Sequence, residues 1–181
     1  MLHALVSHAD SSSSAVDRID VRLTRHATQL VLQYTAHGKI ELLNIPAARE
    51  GRRADDLWQH TCFELFVRAP SLESYYEFNF SPSTEWAAYR FDAYRSGMTP
   101  ASISAPTVLM RQDAERVELR ATLDLASIPD IPELLTQALR LGLAVIVEEQ
   151  SGGKSYWALS HSAGRPDFHH VDCFSATLPA G

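Results

Sequence analysis

Cysteine is scarce in this chain. The two present, Cys62 and Cys173, make no C-x-x-C pair. That spacing excludes a thiol-redox motif and a cysteine zinc site, and the expectation is two free, buried thiols in a reducing cytosol. Clustered positive charge is also missing. Sixteen basic residues stand against 22 acidic ones, for a net charge of −6, and no basic run exceeds Arg52-Arg53. A nucleic-acid footprint needs a basic patch, so that class of partner is not expected. No apolar stretch has the length of a membrane span; the longest, Leu141 to Val147, is one strand long. Residues 1–8 have no basic segment ahead of an apolar core, so a secretory leader is not expected and the chain reads as cytoplasmic, with no membrane partner. Nucleophile elbow, P-loop and Ser-His-Asp order are all absent. So are internal repeats and a linker that would split the chain.

The residues present are those of an ordinary globular protein, 45% hydrophobic and 21% charged over 181 positions. One domain spanning 1–181 is the expectation. The dominant period is two. Ile19, Val21 and Leu23 alternate with Asp20, Arg22 and Thr24. Leu30, Leu32 and Tyr34 form a second such run. Val117, Leu119, Ala121 and Leu123 alternate with Glu118, Arg120, Thr122 and Asp124. Such runs are strands with one face dry and the other wet. Turn signals separate them at His37-Gly38, Ser81-Pro82, Gly97 with Pro100, and Gly152-Gly153. Hairpins are predicted around residues 113–115 and across 150–154. Helical signals are few: Pro132 to Arg140 could form one short helix, and Ala47 to Leu57 a loop or helical turn. Many short strands without βα alternation predict an all-β, antiparallel β-sandwich of jelly-roll or immunoglobulin-like type, with at most one or two short helices.

The most informative stretch runs from Trp58 to Trp86. Its strand-like runs, Cys62 to Arg68 and Tyr75 to Phe80, are rich in aromatics yet carry polar groups at alternate positions. Alternation puts Tyr76, Phe78 and Phe80 toward a core, and Tyr75, Glu77 and Asn79 toward water or a ligand. Cys62, Glu64 and Phe66 share the corresponding face of the first run. Glu64 is flanked there by apolar residues. It must find a hydrogen-bond partner, such as a neighbouring Arg or Tyr, or shift its pKa. Trp58 could seal a sandwich end or present a ring to ligand, whereas Trp86 and Trp157 sit in strand-like runs and read as core. Toward the C-terminus a strand at 156–161 precedes a loop dense in His, Asp, Arg and aromatic residues. End loops of a sandwich commonly carry binding residues. His161, His169 and His170 have no metal-ligand spacing, so no metal site is assigned.

Trp58-Gln59-His60-Thr61-Cys62-Phe63-Glu64-Leu65-Phe66 resembles the W-x5-E-x-F entry strand of family 9 carbohydrate-binding modules. Residues 76–80 resemble the following strand, and residues 167–174 their closing aromatic loop, which leads into a last strand ending at Thr177-Leu178. As a whole the chain resembles the small bacterial DOMON-like proteins related to those modules. The resemblance implies a β-sandwich in which two aromatic rings, at the positions of Trp58 and Phe168, clamp a terminal sugar. It places a polar contact at Glu64, and puts Asn79 where the family has arginine. Asn79 lacks the cationic fork of arginine, and Phe168 is a smaller ring than the family's tryptophan. DOMON-type relatives also include haem binders with Met and His axial ligands, for which Met98, Met110, His60, His161, His169 and His170 are the available residues.

A sugar offers C–H groups on its faces and hydroxyls at its edge, which an aromatic plane and convergent polar side chains complement. The reading is therefore a non-catalytic domain binding a saccharide or related polar ligand through Trp58, Glu64, Glu77, Asn79, Arg165, Phe168 and His169. A haem or redox-cofactor domain and a cytoplasmic protein-interaction sandwich are the alternatives. An enzyme using Glu64, Glu77 or the histidines ranks below them.

Overall fold

The computed structural model describes residues 1–11, 13–131 and 135–180. Its described strands are β1 (Leu2–Ser7), β2 (Val16–His26), β3 (Gln29–Gly38), β4 (Cys62–Arg68), β5 (Tyr75–Phe80), β6 (Trp86–Phe91), β7 (Thr99–Pro100), β8 (Thr107–Gln112), β9 (Arg116–Asp124), β10 (Leu139–Glu148), β11 (Lys154–Ala158) and β12 (Ala176–Leu178). Each pairs antiparallel with its neighbours in the order β7-β6-β5-β4-β10-β11-β1-β2-β3-β9-β8, and β12 adds to β10. The fold is thus all-β and sandwich-like.

Strand β1 is the seam. Residues Leu2 to Leu5 pair with β2, while Val6 and Ser7 pair with Ala158 and Trp157 of β11. One strand thereby serves two half-sheets, and the ladder curls so that their apolar faces meet. Alternation decides which residues meet there. Ile19, Val21, Leu23, Leu30, Leu32, Tyr34, Leu119 and Leu123 come from one half, and Phe63, Leu65, Val67, Tyr76, Phe78, Phe80, Leu143 and Val145 from the other. All are buried. Tyr34 crosses the core: its hydroxyl donates to the Glu64 carbonyl at 2.7 Å, and its ring meets Phe63 edge-on at 5.3 Å. A fully buried phenol finds its acceptor in the opposite sheet's backbone, which fixes how the halves face each other.

Trp86 and Trp157 are core residues, as their strand positions predict. The hairpin turns fall where expected, with β8 joined to β9 and Gly152 at a φ of +86° between β10 and β11. Cys62 and Cys173 are free and buried. The helix predicted over 132–140 is not supported at its end. Leu139 and Arg140 open β10, pairing with Leu178 and Thr177 of β12. Its first three residues, 132–134, lie outside those described. Apolar Leu139 and Leu141 fit a strand's period of two as well as a helix's, and sheet pairing decided. Among the described residues no helix is long and apolar enough to cross a membrane.

Candidate functional site

Strands β4 and β5 are buried on both faces, save for Arg68 at the end of β4. Their outer face was expected to be open, yet Tyr75, Glu77 and Asn79 are all buried there. The reason is a cover that strand periodicity cannot reveal. A second apolar cluster, containing Phe66, Tyr75, Ala87, Tyr89, Phe91, Ala144, Ile146, Ala158, Phe168 and Phe174, lies on this side, with Leu57 packed against it. The cover comes from the segment before β4 and from the loop after β11. At Gly142 that loop packs tightly on the sheet: a Cβ there would lie 3.2 Å from the Cys173 carbonyl oxygen and 3.3 Å from the Phe66 Cβ.

Register places the polar groups. Glu64 is paired with Asn79 on one side and Ala144 on the other, and Asn79 in turn with Ala87. Glu77 sits two residues along β5, diagonal to Glu64 on the same face and within reach of a long side chain. Small residues at 87, 144 and 158 leave room beside Glu64 and Asn79, and Phe168 and Leu57 join the same cluster above them. The Asn79 amide donates to Glu77 Oε1 at 2.7 Å, and its oxygen lies 3.5 Å from the Cys62 thiol. Glu64 is 3% exposed, and its carboxyl has no hydrogen bond or ion pair with any described residue. The neighbouring Arg or Tyr partner considered from sequence is not there for the side chain; Tyr34 binds only the backbone carbonyl.

Burial, then the nearby charge of Glu77, drives the Glu64 carboxyl well above its ordinary range. Burial also raises Glu77, while the Asn79 hydrogen bond and Arg95 pull it back. The pair therefore favours holding a proton on Glu64 and leaving Glu77 as the bonded acceptor. Burial pushes the Cys62 thiol up as well, so it is no thiolate nucleophile.

Above Glu77 stands His169. Its Nε2 is 3.6 Å from Glu77 Oε2, and its Nδ1 is 2.7 Å from the Tyr75 hydroxyl. That hydroxyl also accepts from the Arg95 backbone N–H at 3.2 Å; in the tautomer protonated at Nε2 it donates to Nδ1, and the ring N–H faces Glu77. Burial, reinforced by the Arg95 charge, lowers His169 to about 4, and the ring is neutral at pH 7. Asp167 holds the loop down. It accepts from Arg95 Nη2 at 2.8 Å, from the His169 N–H at 3.1 Å and from the Tyr94 hydroxyl. On the other side, Tyr89 donates to Asp55 at 2.6 Å beneath the Arg53 guanidinium, tying the preceding segment to the sheet.

Glu64, Glu77, Asn79 and His169 are thus gathered on one face. Phe168 is 7% exposed and belongs to the cover, while Trp58, on the 3-10 turn Leu57–Gln59, is 51% exposed. Arg165 is exposed, with no bonded partner among the described residues. Sequence reasoning placed Tyr75 on the ligand face without naming it as a site residue, and missed Arg95 and Asp167; these three fix His169. The signal for Asp167 was its place two residues before His169, where a carboxylate can bond a backbone N–H. Arg95, in a left-handed turn at φ +51°, left no signal.

No protein-family profile matches the chain, and no curated protein sequence matches it. Among solved structures, a candidate carbohydrate-binding protein from Bacteroides uniformis has the same fold. Its TM-score is 0.71 at 16% identity, over 99% of this chain and 85% of that one. Identity this low speaks to the fold alone.

Proposed function

We propose that the outer face of β4 and β5 is the recognition surface of a non-catalytic, saccharide-binding domain. The observation that carries this is the exposed Trp58 indole, presented at the entrance to β4, whose outer face shares with β5 the buried Glu64–Asn79–Glu77 row. The Glu64 carboxyl bonds to no described residue, which leaves its oxygens available to a ligand hydroxyl. Trp58 supplies a ring face for the sugar's C–H surface, Glu64, Glu77 and Asn79 supply edge contacts, and His169, Arg165 and Phe168 lie on the covering loop. Loop displacement would accompany binding, because Phe168 is packed down. The description of the Bacteroides uniformis protein as a candidate carbohydrate binder points the same way. So does the resemblance to DOMON-like proteins and family 9 modules. Free Cys62 and Cys173 accord with a cytoplasmic location.

The test is a tryptophan-fluorescence titration against a panel of simple sugars. Trp86 and Trp157 are buried, so Trp58 should report. A saturable change, lost in Trp58→Ala, is expected. Silence across the panel in the wild type would contradict the reading. The haem alternative fits poorly: Met98 is exposed, His60 is bonded to Glu148, His161 Nε2 to the Val6 carbonyl, and both His169 nitrogens face protein partners. Added haemin should give no Soret band.

A further inference from the structure

Beside the Tyr75–His169 bond lies a cleft of about 220 Å³, lined by Arg68, Glu73, Tyr75, Tyr94, His170 and Phe174 among others. At ~30 Å³ per water this is space for several waters, comparable to one sugar ring. Its walls are rings. Tyr75 and Phe174 meet edge-on at 5.6 Å, Tyr94 and His170 at 6.3 Å, and Tyr94 is 56% exposed, with ring surface free to cover a ligand.

Arg68 and Glu73 bring charge of both signs to the cleft wall, and Arg140 stands beside Arg68 just outside that lining. Arg68 is register-paired with Arg140 across β4 and β10, and both lie on the outer face. Like charges directly opposite are unfavourable. No carboxylate relieves them: Arg68 Nε donates to the Leu72 carbonyl at 2.8 Å, and Arg140 Nη1 to Thr177 Oγ1 at 3.1 Å. Neither forms an ion pair with a described residue. Glu73 lines the cleft without joining them, and Asp172 is turned to His170 at 3.4 Å.

We infer that this cleft binds a saccharide unit bearing an anionic group, a carboxylate or a phosphate. Its ring is covered by Tyr94 and Phe174, and its anion is held by Arg68 in the cleft wall, with Arg140, the register neighbour of Arg68, adding positive charge at the rim. A guanidinium group gives charge-assisted, fork-shaped contacts that suit either anion. The inference rests on the saccharide reading above but concerns residues outside the Trp58 and Glu64 row.

Isothermal titration of the full chain with glucose, glucuronate, glucose 6-phosphate and inorganic phosphate tests it. Glucuronate or glucose 6-phosphate should bind at least tenfold tighter than glucose, and rising salt should weaken that preference. The tighter of the two identifies the anion. Arg68→Gln should remove most of the preference and, independently, Arg140→Gln should lower it, while thermal unfolding stays cooperative; Arg111→Gln on β8 should do neither. Equal binding of glucose and glucuronate, or a preference untouched by both substitutions, would overturn the inference. If that glucose response were lost in Trp58→Ala, the saccharide reading would still stand. Inorganic phosphate binding as tightly as the sugar phosphate would also overturn it, by showing a site for the anion alone.

Discussion

Strands β4 and β5 have two faces, equally dry and chemically opposite. The inner one is hydrocarbon and aromatic: Phe63, Leu65, Val67, Tyr76, Phe78 and Phe80 packed on the other half-sheet. The outer one holds Phe66 and Tyr75 but also Cys62, Glu64, Glu77 and Asn79. Burial is the same on both sides, so burial does not explain the difference. Packing accounts for the inner face completely. On the outer face it leaves the Glu64 acid bonded to no described residue, the kind of open valence a protein carries at a site rather than in a core.

The sharpest break between the faces is in stability. Phe78→Ala, in the inner core, should cost about 3–5 kcal/mol, seen as a large fall in the chemical-denaturation midpoint. The next effect belongs to His169. Its folded pKa of about 4 lies below the ordinary 6.5, so the unfolded chain binds the extra proton between those values. Stability should fall as pH drops through that window, by up to on the order of 3 kcal/mol, and His169→Gln should flatten that limb. Glu64 runs the other way. Its raised pKa favours the folded state at low pH, and that contribution is lost as pH rises above the ordinary 4.5. Glu64→Gln should therefore gain on the wild type with rising pH, seen as a higher denaturation midpoint at neutral pH than at pH 4 relative to the wild type. A loss there would show that the acid has a structural role. The smallest stability effect is at the surface: Trp58→Ala should change unfolding by less than about 0.5 kcal/mol while removing the sugar response.

The inner face was legible in the sequence because a period of two states directly which residues point together. Ile19, Val21 and Leu23, or Tyr76, Phe78 and Phe80, needed nothing more. The same alternation grouped Glu64 with Phe66, and Glu77 with Asn79. It could not say that a loop some ninety residues later would bury them, since a cover is set by long-range packing and leaves no local pattern. Phe168 illustrates the limit. An aromatic in a polar loop reads equally as a clamp or as a plug, and it packs as a plug. The helix expected over 132–140 fails at Leu139 for a related reason: pairing with β4 and β12 outweighs local propensity.

The central claim is that the outer face of β4 and β5 binds a saccharide. Amide chemical-shift mapping during titration with neutral and acidic sugars tests it most directly. The account predicts saturable shifts confined to residues 57–66, 75–79, 92–97 and 165–174, with β8 and β9 unmoved. Shifts centred on β8 and β9, or none with any sugar, would contradict it.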